Sequence, residues 1–242
     1  MFKMPRMILP PGRRLLVGVL AVAALLLALP AAATPVSKIV IFGSHQGSKL
    51  KLLKRGHKII VKGSMAHHRP VGCRFKRGHR LAVCPTRGVG AIEVDMGPRG
   101  DFVKVKKRLP VPLVVHLGRG QDKFIGKGER DICFSEGARR NRCIGGGNND
   151  VCITGNRNSD CVGGRGNDYC HHGNGSDGCW GGPGRDICIM GAGQDGCHGG
   201  PGNDRLYGGP SPDQLYGGRG FDYCNGGLGL GRSHTCNKGP RH

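Results

Sequence analysis

Residues 163–225 divide without a gap into seven nine-residue units, which read GGRGNDYCH, HGNGSDGCW, GGPGRDICI, MGAGQDGCH, GGPGNDRLY, GGPSPDQLY and GGRGFDYCN. Every unit carries Asp at its sixth position and Cys or Leu at its eighth. Upstream, cysteines continue the nine-residue spacing from Cys161 back to Cys143. A period fixed over so many units indicates a solenoid, in which each repeat is one structural unit stacked on its neighbours.

Composition favours a repeat protein over an ordinary globule. Of the 242 residues, 46 are Gly, and the aromatic residues are one Trp, four Tyr and seven Phe. Large side chains are therefore too scarce to pack a conventional core in a chain of this length. Disordered proteins share this composition, but the regular spacing of the twelve Cys residues argues against disorder.

The repeat unit resembles the hemolysin-type (RTX) nonapeptide, G-G-x-G-x-D-x-U-x. The resemblance covers roughly residues 117–234, and the chain is similar to a Cys-rich, secreted variant of that calcium-binding repeat family. It implies an all-β fold, a parallel β-roll or β-solenoid of nine-residue repeats that is loaded with calcium. In such a roll successive strands belong to opposite sheets, so that one coil takes two repeats, or about 18 residues.

The residue types of the unit are consistent with that role. Gly permits a positive φ and a close approach of the backbone to an ion. Asp supplies the hard anionic oxygen that calcium prefers, together with backbone carbonyls. Stacked coils of a roll bring the sixth positions together along two edges. We therefore expect calcium as the cofactor and the following metal-binding residues: Asp150, Asp168, Asp177, Asp186, Asp195, Asp204, Asp213 and Asp222.

Units outside the regular series depart from this pattern. The sixth position holds Asn141 in EGARRNRCI (136–144), where we expect no ion, and Ser159 in TGNRNSDCV (154–162). Weaker copies upstream place Asp101 and Asp122 at the sixth position. We expect these early units to be structural rather than metal-bearing.

The N-terminus has the layout of a secretory signal peptide. A basic stretch leads into the apolar run 15–29 and then into three Ala residues at 31–33, which supply a small-residue cleavage site. The run is shorter than the roughly 20 residues of a membrane span. We therefore expect a secreted, extracellular protein with no transmembrane span after signal cleavage; an uncleaved anchor is the alternative. The predicted organisation is a signal peptide at 1–33, a basic β-rich cap segment at 34–90, degenerate early repeats at 91–135, the calcium-binding nonapeptide-repeat β-roll at 136–234 and a C-terminal tail at 235–242.

Basic charge is concentrated in the first half of the mature chain. Residues 34–125 contain 20 basic and 4 acidic side chains, whereas residues 126–242 contain 13 and 12. Between residues 35 and 90, short runs that alternate apolar and polar residues predict antiparallel strands in a small N-terminal β segment. The segment 34–125 is a candidate for binding anionic cell-surface polymers, or it is a solvated basic face that maintains solubility. No aromatic platform accompanies the charge, so we expect no nucleic acid partner.

Twelve cysteines in an exported chain favour disulfide bonds, with reduced and buried thiols as the alternative. Stacked strands of one sheet lie about 4.8 Å apart, whereas facing sheets lie about 10 Å apart. A disulfide joins Cα atoms that are about 4.4–6.8 Å apart, so within the roll we predict partners 18 residues apart. The candidates form two ladders, one of Cys143, Cys161, Cys179 and Cys197 and the other of Cys133, Cys152, Cys170 and Cys188. Each ladder has room for two bonds, for example Cys143–Cys161 and Cys179–Cys197 in the first. Outside the ladders, the candidate pairs are Cys224–Cys236 at the C-terminal end and Cys73–Cys84 clasping a hairpin.

Catalytic signatures are absent from the sequence, which has no HExxH helix, GxSxG elbow or phosphate-binding loop. We predict that the protein is not an enzyme but a secreted calcium-ion-binding β-roll protein with a structural, adhesive or surface-associated role. One alternative is a metal-independent, disulfide-stapled solenoid that binds anionic cell-surface polymers, which gives the sixth-position Asp series no purpose. The other is a hydrolase on a β-helix scaffold, for which the sequence offers no candidate carboxylates outside the repeat turns.

Overall fold

The computed structural model describes residues 37–44, 46–66, 73–76, 80–137, 140–229, 232–234 and 236. The predicted signal peptide at 1–33 lies outside these residues. Within them, no helix is long and apolar enough to cross a membrane. The strands run in chain order as β1 (Ser37–Phe42), β2 (Lys49–Arg55), β3 (Lys58–Lys62), β4 (Arg74–Lys76), β5 (Leu81–Pro85), β6 (Val89–Asp95), β7 (Phe102–Val105), β8 (Leu113–His116), β9 (Lys123–Ile125), β10 (Asp131–Ser135), β11 (Asn141–Gly147), β12 (Val151–Thr154), β13 (Ser159–Arg165), β14 (Tyr169–His171), β15 (Gly178–Trp180), β16 (Ile187–Ile189), β17 (Gly196–Pro201), β18 (Arg205–Tyr207), β19 (Gln214–Arg219), β20 (Tyr223–Asn225) and β21 (Arg232–His234).

These strands form two sheets, one of nine strands and one of twelve. From β6 to β21 consecutive strands alternate between the sheets, and each strand pairs in parallel with its neighbours in the adjacent coils. In the repeats the register advances by 18 residues per coil, so that Cys152 lies beside Cys170 and Cys170 beside Cys188. This architecture confirms the predicted all-β fold, a parallel β-solenoid with two nine-residue repeats in each coil.

The N-terminal segment combines antiparallel and parallel pairing. β2, β3, β5 and β4 lie side by side in this order as antiparallel strands at the end of the twelve-stranded sheet, as the alternating sequence predicts. However, β1 and β2 also pair in parallel with β6 and β7. The parallel ladders therefore begin at Ser37, well upstream of residue 91, because β1 and β2 stack on β6 and β7 as an additional coil.

The composition of the interior changes along the axis of the solenoid. In the N-terminal coils it consists of aliphatic side chains such as Leu50, Ile92 and Val103, which are fully buried. In the repeats the eighth position points inward and supplies mainly Cys, followed by Leu206 and Leu215. Because hydrophobic stabilisation scales with the apolar area that is buried, the N-terminal coils gain more from it than the Cys-lined repeats.

Within the roll, three disulfide bonds join the two sheets rather than neighbouring strands of one sheet. The disulfide bonds are Cys73–Cys84, Cys133–Cys143, Cys161–Cys170, Cys179–Cys188 and Cys224–Cys236, whereas Cys152 and Cys197 are reduced and buried. The pairs predicted for the hairpin and for the C-terminal end are confirmed. The prediction of partners 18 residues apart, Cys143–Cys161 and Cys179–Cys197, is wrong.

The two sheets of the roll lie closer together than that prediction assumed. In the three cross-sheet disulfides, the Cα atoms are 6.2, 6.4 and 6.6 Å apart, within the reach of a disulfide and well below the roughly 10 Å between ordinary facing sheets. Inward side chains of facing sheets converge, whereas in-register neighbours within one sheet point in the same direction. Small side chains in the interior permit the close approach of the sheets that brings Cys161 to Cys170.

Candidate metal centre

The turns that lead into the strands place polar residues in two buried columns, one along each edge of the roll. The first rim leads into strands of the nine-stranded sheet and consists of Asp131, Asp150, Asp168, Asp186, Asp204 and Asp222. The second rim leads into strands of the twelve-stranded sheet and consists of Asp101, Asp122, Asn141, Ser159, Asp177, Asp195 and Asp213. Because the coils stack in register, each rim residue lies beside its counterparts in the adjacent coils.

Hydrogen bonds link the rim residues of successive coils. In the first rim, the backbone N–H of Asp168 donates to Oδ1 of Asp186 over 2.7 Å, and the N–H of Asp186 donates to Oδ1 of Asp204 over 2.8 Å. The second rim repeats this geometry, since the N–H of Asp177 lies 2.7 Å from Oδ1 of Asp195. These bonds fix the orientation of each carboxylate and engage one of its two oxygen atoms.

The other carboxylate oxygen of most rim Asp residues is buried without a hydrogen-bond partner in the described part of the chain. This applies to Oδ2 of Asp101, Asp122, Asp150, Asp168, Asp177, Asp186, Asp195, Asp204, Asp213 and Asp222. Asp131 differs, because its Oδ2 accepts a hydrogen bond from the backbone N–H of Lys127 over 3.2 Å. A buried, ionised oxygen without a partner is costly, so a row of such atoms needs protons or cations.

Burial also sets the protonation of the rims. Desolvation raises the pKa of Asp150 to about 9, that of Asp186 to about 7 and that of Asp204 to about 6. The backbone hydrogen bond to each carboxylate lowers its pKa, but this effect is smaller than desolvation, and the neighbouring carboxylates of the same rim raise the pKa again. Without a cation, the rims therefore retain protons close to neutral pH.

Backbone carbonyl groups of one coil also lie close to the next coil in the segments that precede the first-rim residues Asp168 and Asp186. Gly182 has a φ of 106°, and a Cβ atom at this position would overlap the carbonyl oxygen of Gly164 in the preceding coil. Gly184 has the same relation to the carbonyl oxygen of Gly166. Glycine is required where the carbonyl groups of one coil approach the backbone of the next so closely. Carboxylates and carbonyls together form a set of hard oxygen donors, which fits calcium.

All eight predicted metal-binding residues lie in the two rims. The first rim contains Asp150, Asp168, Asp186, Asp204 and Asp222, and the second contains Asp177, Asp195 and Asp213. Between Asp122 and Asp177 the second rim is neutral, because its residues there are the uncharged Asn141 and Ser159. Both continue the row of hydrogen bonds, since Asn141 accepts a bond from the N–H of Asp122 and the N–H of Ser159 donates to Asp177. Asp160, one residue beyond the rim position, pairs instead with Arg140 over 3.0 Å.

Two Asp residues outside the predicted set, Asp101 and Asp122, have both the hydrogen bond between coils and the unpartnered Oδ2 of the other rim carboxylates. The N–H of Asp101 donates to Oδ1 of Asp122 over 2.7 Å, and the two residues are only 4% and 2% exposed. Their units were expected to be purely structural. The sixth-position Asp was a visible signal, but 21 residues separate Asp101 from Asp122 and 19 separate Asp122 from Asn141, so the units fall out of the regular 18-residue period.

The fold and its rims define the protein as a parallel β-solenoid built from Asp-bearing nonapeptide repeats. Residues 198–230 match the family model of the RTX calcium-binding nonapeptide repeat (4 copies). This match confirms the resemblance drawn from the sequence. The nonapeptide repeats upstream of the matched residues are rich in Cys and are joined by disulfide bonds. Comparisons with curated proteins and with solved structures find no match to this chain.

Calcium-free protein is expected to be less stable at about pH 8.5 than at about pH 6. The pKa values of Asp122, Asp177 and Asp186 rise from 3.8 to about 7 on folding, so the folded state binds more protons than the unfolded state. The stability contributed by these groups is present at low pH and is lost as the pH rises through 7. A shift of one pKa unit corresponds to about 1.4 kcal/mol. Together, the three carboxylates therefore lower the free energy of unfolding by several kcal/mol between the two pH values.

Urea denaturation of dialysed, calcium-free protein at the two pH values measures this difference. The comparison stops at about pH 6, because burial lowers the pKa of His172 to about 4, and its titration opposes the trend in more acidic solution. Saturating calcium is expected to abolish the loss of stability at the higher pH. An unfolding free energy that is equal at both values, or larger at the higher one, would contradict the description of the rims.

Proposed function

We propose that this protein is a secreted calcium-binding β-roll with a structural, adhesive or surface-associated role and no catalytic activity. The observation that carries the proposal is the alignment of buried, unpartnered carboxylate oxygens along two rims. Under the proposal, calcium is held between adjacent coils by the rim residues Asp150, Asp168, Asp177, Asp186, Asp195, Asp204, Asp213 and Asp222, together with backbone carbonyls. Asp101 and Asp122 have the same geometry and extend the set.

Calcium in these positions has a direct structural effect. A cation between two coils neutralises the carboxylates on both sides and removes the cost of their burial. Because the ion binds groups of two coils at once, it also opposes their separation. Ligand that binds only the folded form stabilises it by mass action. The role of the ions is therefore to hold the repeats together. This role suits a scaffold protein and involves no catalysed reaction.

An extracellular location is supported by two independent features. Residues 1–33 have the layout of a signal peptide, and disulfides such as Cys161–Cys170 and Cys179–Cys188 persist in oxidising compartments. Within this proposal, the segments are those of the sequence analysis, with the calcium-binding roll at 136–234. The surface-associated role is assigned to the basic segment 34–125, which has anionic cell-surface polymers as its partners.

The variant Asp186→Asn tests calcium binding in the first rim. With saturating calcium, we expect fewer bound ions and a thermal midpoint lower by about 5 °C or more. Without calcium, we expect a stability equal to or above that of the wild type, because a buried charge is removed while an amide oxygen still accepts the hydrogen bond from Asp168. Calorimetric titration and thermal unfolding measure the two effects.

Asp160→Asn is the matched control, because Asp160 lies outside the rims and pairs with Arg140. This variant is expected to bind as many calcium ions as the wild type. Equal calcium binding by Asp186→Asn and the wild type would remove Asp186 from the site. A folded wild-type protein that binds no calcium would overturn the proposal and favour the metal-independent, disulfide-stapled solenoid.

A further inference from the structure

Basic side chains of the N-terminal half converge on one face of the solenoid. The cationic strip, as we define it, consists of Lys49, Lys51, Lys62, Lys104, Lys123 and Arg142. These residues belong to β2, β3, β7, β9 and β11, which are consecutive neighbours in the twelve-stranded sheet. They alternate with buried residues, such as Leu50 between Lys49 and Lys51, so their side chains lie on the outer face of the sheet.

The register of the sheet brings the charges of the cationic strip into direct juxtaposition. Lys51 pairs with Lys62 on one side and with Lys104 on the other. In the adjacent row, Lys123 pairs with Arg142. Paired residues of neighbouring strands lie about 5 Å apart, and like charges at this separation repel one another. Binding of an anionic partner to these paired side chains relieves their repulsion and is therefore favourable.

Acidic residues of the segment 34–125 lie away from this face. Glu93 and Asp95 belong to β6 in the nine-stranded sheet, where Glu93 pairs with Lys38 and with His116. Asp101 and Asp122 are buried in the second rim. Among the described residues, no carboxylate lies within ion-pair distance of the five lysines of the cationic strip. Five of the 20 basic side chains of the segment therefore share one sheet face without a carboxylate partner. Asp160, the register neighbour of Arg142, marks the end of the strip.

We propose that the cationic strip binds an extended acidic polysaccharide that runs along the axis of the solenoid. Five adjacent strands at about 4.8 Å spacing give a flat surface on the order of 20 Å long, which suits a linear chain of repeated negative charges. Five of the six groups are Lys, a mobile point charge that does not demand the bidentate geometry for which Arg is suited. The inference rests on the surface-associated role proposed above, and it is independent of calcium.

Other anionic partners fit this face less well. Single-stranded nucleic acids require aromatic side chains on which bases stack, and membrane association is strengthened by apolar side chains that insert into the lipid. The exposed large hydrophobic residues of the described chain are Phe42, Trp180, Phe221 and Leu228, none of which belongs to the five strands of the strip. The one aromatic side chain in the rows of the strip, Phe102 between Lys49 and Lys123, is half-buried. The strip therefore offers charge without an exposed stacking platform or apolar anchor.

Binding of the full mature protein to immobilised dextran sulfate and polygalacturonate tests the inference. We expect the variant Lys51→Gln/Lys62→Gln/Lys104→Gln to bind at least about tenfold more weakly than the wild type, with a weaker dependence on salt concentration. The control Lys106→Gln/Lys107→Gln/Arg119→Gln removes the same net charge from exposed turn positions. It is expected to remain within about twofold of the wild type, and calcium titration of each variant verifies that it is folded.

Each remaining outcome has a distinct meaning. Equal losses in the two triple variants would show that net charge alone matters, which overturns the cationic strip but leaves the surface-associated role intact. Failure of the wild type to bind either polysaccharide would reject that role itself, while the calcium titration on the same samples still tests the roll. Equally tight binding to phosphatidylglycerol vesicles or to a single-stranded oligonucleotide would overturn the assignment of a polysaccharide partner.

Discussion

At about pH 8.5, calcium-free protein is expected to lose the ordered structure of residues 145–230 while the N-terminal coils remain folded. In the repeats, adjacent rim residues such as Asp186 and Asp204 have buried oxygen atoms with no partner in the described chain. Above about pH 7 these carboxylates lose their protons, and a cation is needed to offset their charge. The interior there is mainly Cys and so contributes little hydrophobic stabilisation. The N-terminal coils bury Leu50, Ile92 and Val103 and depend less on the ions.

The expected change is large because several ions act together. One site at a hundredfold excess of calcium over its Kd contributes about 2.7 kcal/mol, and 1 kcal/mol shifts the thermal midpoint of a chain of this size by about 2–4 °C. The loss of several sites therefore lowers the midpoint by about 20 °C or more. Hydrogen exchange, measured with calcium and after dialysis against a chelator, shows which residues of the chain lose their ordered structure.

Protection in β2, β7 and β9 serves as the internal control, since these strands belong to the aliphatic part of the solenoid. The disulfides Cys161–Cys170 and Cys179–Cys188 are expected to limit the expansion of the repeats, so chelator combined with reductant has a greater effect than chelator alone. Identical circular dichroism spectra and exchange patterns in the presence and absence of calcium would contradict the proposed role of the ions.

The rims could be predicted from the sequence, because the resemblance to the RTX nonapeptide implies two repeats per coil and the regular period then fixes their geometry. An Asp at every sixth position of a nine-residue unit must recur at the same edge once per coil, and the observed ladder from Asp150 to Asp222 follows that rule. The alternating runs near residues 49–62 likewise predicted strands that the structure contains. Both inferences concern residues that are close in the chain.

The features that the sequence did not predict depend on distances across the solenoid. Disulfide pairing follows from the separation of the sheets, and the 6.4 Å between the Cα atoms of Cys161 and Cys170 could not be read from the spacing of the cysteines. The cationic strip requires the pairing of β2 with β7, whose residues Lys51 and Lys104 are remote in the chain. Asp101 and Asp122 were recognised as sixth-position residues, but insertions disturb their period, so their alignment with the second rim did not follow from the sequence.

Substitution of a turn glycine is expected to have the second large effect. Gly182 has a φ of 106°, a conformation that costs other residues about 1–3 kcal/mol. An added Cβ atom would also overlap the carbonyl oxygen of Gly164, so the two coils must move apart. We expect Gly182→Ala to lower the unfolding free energy by about 3 kcal/mol or more. Since the displaced carbonyl belongs to the proposed set of oxygen donors, calcium affinity is expected to fall as well.

Gly196→Ala provides the control within the same repeats. A Cβ atom at Gly196 meets no other atom within 4 Å, and its φ is not positive; the change in unfolding free energy is therefore expected to stay within about 0.5 kcal/mol. Urea denaturation in saturating calcium measures the stability of both variants, and calorimetry measures their calcium affinity.

If Gly182→Ala were as stable as Gly196→Ala, the coils would not be in close backbone contact at this turn. If Gly182→Ala lost stability but kept wild-type calcium affinity, the carbonyl of Gly164 would play no part in holding the ion, and the carboxylates of the rim would have to bind it without that oxygen.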